Sequence, residues 1–174
     1  MNIRPAEPAD IPDLARIHVR ASQRAQESNP AGPEAINEFG IAEEWSRALD
    51  DPDCRILVFT MGYSVLGFAA YGPPRNHTPS DVDSELWALY VEPDRWRAGI
   101  GRALWVVAAN AMTENGGKSA GAWVVLDNIR ARSFSEAIGF TLVPGALREM
   151  NQSGEEISEI FYRFELVAEH AAAY

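Results

Sequence analysis

One stretch, Glu85 to Trp105 (ELWALYVEPDRWRAGIGRALW), restricts this chain more than any other. It opens as a strand over Glu85 to Val91, with Glu85, Trp87, Leu89 and Val91 on one face at a period of two. Glu92-Pro93 ends the strand, and a charged loop leads to Gly99-Ile100-Gly101. A helix then follows to Asn115, with Ile100, Leu104, Val107 and Ala111 along its inner stripe. Glycine lets a backbone approach a ligand closely, and the first turn of a helix carries free N–H groups and a partial positive charge. Such a start binds phosphate or pyrophosphate, and Arg97 and Arg102 flank it with charge-assisted donors. Two other readings stay open on this motif alone. The glycines can simply shape a turn. A dinucleotide-binding loop fits less well, because Leu104 stands where a third glycine belongs.

The rest of the chain sets the frame. Its 174 residues suit one compact domain over 1–174, with 168–174 as a fraying tail. Hydrophobic residues make up 47% and charged residues 23%, as in a folded protein. The longest apolar runs are far too short to span a bilayer, and Met1 to Pro5 does not resemble a signal peptide. The single cysteine, Cys54, excludes an internal disulfide, and no Cys/His cluster has metal spacing. A cytoplasmic protein without a metal is expected. The formal net charge of −10 disfavours nucleic acid and anionic membranes as partners and favours cations such as protonated amines, although an acidic surface also serves plain solubility.

Periodicity and turn residues give the order β-α-α-β-β-β-α-β-α-β-β. The helices are read over Asp10 to Gln26, capped by Asp10, then over Glu34 to Leu49, Gly99 to Asn115 and Asn128 to Ile138. The strands are Ile3 to Arg4, Arg55 to Thr60, Val65 to Tyr71, Glu85 to Val91, Ser119 to Leu126, Phe140 to Leu147 and Ile157 to Leu166. Helices punctuating strands in this way give a mixed α/β (α+β) class.

A second motif lies in Asn128 to Phe140, where Asn128, Ala131, Phe134, Gly139 and Phe140 are spaced as Asn-x-x-Ala-x-x-Phe-x-x-x-x-Gly-Phe. Together with Trp96-Arg97-Ala98-Gly99-Ile100-Gly101, it resembles the acyl-CoA-binding motifs of the GNAT superfamily of N-acyltransferases. The resemblance implies a central, mostly antiparallel mixed sheet of about seven strands flanked by about four helices, acetyl-CoA as co-substrate, an amine acceptor on a small molecule or a protein, and scope for a homodimer. It implies coenzyme contacts at Leu89, Tyr90, Val91, Trp96, Arg97, Ala98, Gly99, Ile100, Gly101, Arg102, Asn128 and Phe134. It departs at two places. Trp96 stands at the usual Arg or Gln, and Ser135 stands at the usual Tyr. Residue by residue, Asn128 also reads as an N-cap, and Phe134 and Phe140 as core.

A protonated amine cannot attack a thioester, so the reaction needs a proton acceptor. Glu85 is the first candidate, because some relatives carry a glutamate base here and Trp87 would partly desolvate it. By resemblance, the Val91 amide would steady the tetrahedral oxyanion, and Ser135 would meet the leaving thiolate. A serine hydroxyl is a much weaker acid than the tyrosine it replaces. The alternative is therefore an acyl-CoA-binding sensor without turnover. His18 is read as a packed or surface histidine in preference to one that faces the acceptor pocket. The acceptor region is expected from the 28–40 loop, the 72–84 loop and the last hairpin, with Glu34 and Glu38 to hold a cation.

Overall fold

The computed structural model describes residues 1–26, 37–79, 81–152 and 155–166. The described residues form seven strands and four α-helices, with the strands in the order β1-β2-β3-β4-β5-β7-β6. β4 and β5 pair in parallel, whereas β1–β2, β2–β3, β5–β7 and β6–β7 pair antiparallel, so the sheet is mixed as the sequence implied. The chain gathers into two compact units, 1–72 with 88–108 and 73–87 with 109–174.

The first unit contains β1 (Asn2–Pro5), α1 (Ile11–Gln26), α2 (Glu38–Asp50), β2 (Arg55–Met61) and β3 (Ser64–Gly72). It also holds the last four residues of β4 (Ser84–Val91) and the start of α3 (Ile100–Glu114). α1 buries Leu14, Ala15, Ile17, Val19 and Ala21 at helical spacing. Ala15 and Val19 pack on Ile41 of α2, with Ala42 and Trp45 alongside.

Two helix starts differ from the sequence reading. Asp10 does not cap α1. It ends a 3-10 turn over Pro8–Asp10, where its carboxylate accepts the Glu7 N–H at 2.8 Å and pairs with Arg4 at 2.7 Å. The Arg4 guanidinium holds that carboxyl below its ordinary range. α2 is capped by Asn37, whose side chain accepts the Phe39 N–H at 3.2 Å, and it runs through Gly40 without interruption. The expected start at Glu34 lies outside the described residues.

The second unit contains the start of β4, the end of α3, β5 (Ser119–Val125), α4 (Ile129–Ala137), β6 (Thr141–Gln152) and β7 (Glu155–Glu165). β5 is central, pairing β4 through Ser84↔Ala120 and Glu85↔Gly121 and pairing β7 from Ser119↔Glu165 to Val125↔Glu159. Gly121 is required there, because a Cβ would lie 2.1 Å from the Phe161 ring that crosses it. β6 extends beyond the expected Leu147 and shifts register between Leu142 and Leu147. Pro144 lies inside that shift, and a proline has no N–H for the ladder. No described helix is long and apolar enough to cross a membrane.

Candidate active site

In the first unit a loop with two left-handed residues leads from β4 into α3. The first bond of α3 runs from the Ala103 N–H to the Gly99 carbonyl at 3.0 Å. The amides of Ile100 and Gly101 lie ahead of it and have no partner within the helix. Gly99 has φ of +82° and nothing near a Cβ, so backbone conformation, not space, demands glycine. Arg97 is also left-handed, at φ of +67°. Left-handed residues within such a loop turn successive N–H groups to one side, as in backbone anion nests. Ile100, Leu104 and Trp105 are buried and fix the helix, while Arg97, Ala98, Gly99 and Arg102 are exposed.

Trp96 does not present its donor to a ligand. Its indole N–H donates to the Val91 carbonyl at 2.8 Å and braces the loop on the end of β4. The Glu92 N–H donates to Leu66 of β3 at 2.9 Å. Alternation along the strand therefore turns the Val91 N–H away from β3. Leu89 and Tyr90 are half-buried.

Glu92 itself is buried and pairs through Oε1 with Arg16, with Arg20 at 3.4 Å, while Oε2 is buried without a hydrogen-bond partner. Arg20 also meets Asp94 at 2.9 Å, so α1 is tied to the loop by charge. Nearby, His18 stacks on Tyr90 at 4.3 Å between ring centroids, and its Nδ1 accepts the Trp45 indole N–H at 3.2 Å. Burial pushes the imidazole down to about 4. It is neutral at pH 7, with its proton on Nε2. The packed reading of His18 is the one found.

In the second unit Glu85 is fully buried. The sequence placed it beside Trp87 as a partly desolvated base. The structure instead seals it. Oε1 accepts Arg75 Nε at 2.8 Å and Nη2 at 2.5 Å, and Oε2 accepts the Arg75 amide at 2.9 Å and the Thr78 hydroxyl at 2.5 Å. These four bonds occupy the carboxylate's acceptor positions. Thr78 Oγ1 also accepts the Trp123 indole N–H at 3.2 Å. Beside it, the Lys118 amide and the Ser119 hydroxyl hold the Asp83 carboxyl below its ordinary range.

Asn128 caps α4, accepting the Ala131 N–H at 2.9 Å through Oδ1. Ser135 is buried and Phe134 is half-buried. Phe140 is buried against Phe164. Sequence reasoning missed Arg75, Thr78 and Trp123 as the cage of Glu85, and Glu92 as a buried acid. None of them belongs to a local pattern; only the Pro-rich setting of Arg75 had singled out its loop. Of the acceptor-region residues, Glu38 lies exposed in the first turn of α2, while 28–36, with Glu34, lie outside the described residues.

The sequence model of the acetyltransferase (GNAT) family matches residues 17–140, from α1 through Phe140 and across both motifs. This chain belongs to the GNAT acetyltransferase family. It is similar to an uncharacterized N-acetyltransferase, YuaI, of Bacillus subtilis strain 168, at 32% identity over 132 residues, 74% of this chain and 73% of the relative. Among solved structures it is similar to yncA of Salmonella typhimurium, determined with its cofactor acetyl-CoA. That match has a TM-score of 0.69 at 22% identity and covers 100% of this chain and 98% of the other. A ribosomal-protein-alanine N-acetyltransferase from Brucella melitensis matches with a TM-score of 0.68 at 23% identity, covering 95% and 100%. Membership of this family supports acyl-CoA-dependent acetyl transfer in general.

Proposed function

We propose that this protein transfers an acetyl group from acetyl-CoA to a primary amine by direct attack through a tetrahedral intermediate. The observation that carries the reading is the opening of α3, where left-handed Arg97 and Gly99 precede the amides of Ile100 and Gly101, which have no partner within the helix. That backbone suits the diphosphate of coenzyme A, with Arg97 and Arg102 adding charge. The solved relative holding acetyl-CoA supports the choice of donor.

In this reading the Val91 N–H steadies the oxyanion and Ser135 donates a hydrogen bond to the leaving thiolate. Glu85 takes the amine proton only through Thr78, whose hydroxyl gives its own proton to Oε2 as it receives another. Thiol release from acetyl-CoA over a panel of primary amines tests the scheme. Turnover that drops at least about tenfold in Thr78→Val and Glu85→Gln is the expected result. A sealed Glu85 and a serine at position 135 favour a second reading, an acyl-CoA-binding protein without turnover. Tight coenzyme binding with no thiol release for any amine would select it.

A further inference from the structure

Arg75 is held from three directions. Its backbone N–H donates to Glu85 Oε2 at 2.9 Å, and Nε and Nη2 donate to Oε1 at 2.8 and 2.5 Å. Its guanidinium carbon lies 5.3 Å from the centroid of the Trp87 ring. Trp87 is itself fixed, because its indole N–H donates to the Pro73 carbonyl at 3.1 Å. A guanidinium offers five N–H donors in a rigid fork. Glu85 takes one from Nε and one from Nη2. The remaining Nη1 and Nη2 hydrogens have no partner among the described residues, on a side chain that is 44% exposed. They form the end-on edge of the fork, which matches the two oxygens of a carboxylate.

Neutralising Glu85 does not explain this arrangement, because a lysine point charge would neutralise it equally well. What the arginine adds is a second, outward-facing pair of donors on a plane that Glu85 and Trp87 hold still. In a chain of net charge −10, such an edge is a place where an anionic group gains attraction that the general surface denies it.

We propose that the free edge of Arg75, backed by Glu85 and flanked by Trp87, binds the carboxylate of the acceptor, so that the acceptor is an amino-acid-like molecule carrying both an amine and a carboxylate. This rests on the acetyl-transfer reading and names the substrate class for it. All three residues lie in the 73–87 segment of the second unit, and two of them are on β4.

The test compares kcat/KM for L-phenylalanine with that for phenethylamine, which lacks only the carboxylate. The wild-type protein favours the amino acid by about tenfold or more. In Arg75→Lys the ion pair with Glu85 persists but the outward fork is lost, and the ratio falls toward one. The ratio is internal to each protein, so a general loss of activity does not imitate the result. A wild-type ratio near one overturns the proposal. A second arm uses N-acetylglycine and N-acetylglycinamide on the CoA-saturated protein, read at the Trp87 indole resonance. Binding of the acid alone, abolished in Arg75→Lys, supports the subsite, and equal or absent binding overturns it. Selective acid binding without thiol release for any amine removes the transfer reading and keeps the subsite. Release from plain amines without selective acid binding does the reverse.

Discussion

Glu85 and Glu92 stand at opposite ends of β4, and both are buried. Glu85 has Arg75 and Thr78 around both oxygens. Glu92 meets Arg16 and Arg20 through Oε1 alone, and its Oε2 has no partner. Burial is thus a poor guide to what a carboxylate does, and the census of its donors is a better one. The first glutamate anchors a loop through its charge. At the other end of the strand, the position of α1 rests jointly on an incomplete ion pair and on aromatic packing of His18 against Tyr90.

That contrast breaks most readily at Arg75. Arg75→Ala leaves a fully buried Glu85 without its counter-ion, and urea denaturation at pH 7 is expected to lose about 3–5 kcal/mol. A loss below about 1 kcal/mol would show that the anchor is nominal.

Acid sharpens the other end. His18 titrates near 4 in the folded chain against 6.5 for the free side chain. Between those values the unfolded chain binds the proton and the folded one does not. Stability from this residue is therefore complete above about pH 6.5 and is lost as pH falls toward 4, by up to about 3 kcal/mol. Denaturant midpoints from pH 7 to 4 should fall less steeply in His18→Gln, and the difference between the two profiles isolates the histidine from Asp10 and Asp83, which also favour neutral pH.

Gly99→Val forces a β-branched residue into φ of +82°, at a cost of about 1–3 kcal/mol, and should raise KM for acetyl-CoA about tenfold if the loop holds the diphosphate. The smallest effect belongs to Glu92→Gln. It keeps the Oε1 acceptor but removes the charge that faces the part-exposed Arg16 and Arg20, so stability should fall by about 1 kcal/mol. A change as large as that of Arg75→Ala would erase the distinction between the two acids.

Features fixed within a turn or two of chain were legible in the sequence. The extent of β4, the glycine opening of α3 and the Asn128 cap depend on neighbours a few residues apart, and each lies where the spacing placed it. Helical phase was harder. One residue along α4 is about 100° of rotation, and Ser135 is buried there beside a half-buried Phe134. Trp96 sits only five residues from Val91, yet its bond to that carbonyl depends on how the loop folds back.

By itself the sequence determined the elements, their order and the motifs that mark the family, because periodicity, caps and glycines act through local geometry. Only the tertiary structure decided that Glu85 is sealed and that Arg75 faces outward. Those facts depend on contacts such as Trp123 with Thr78, 45 residues apart, and Arg16 with Glu92, 76 apart. Side chains that far apart meet through strand register and packing, and no local spacing records them.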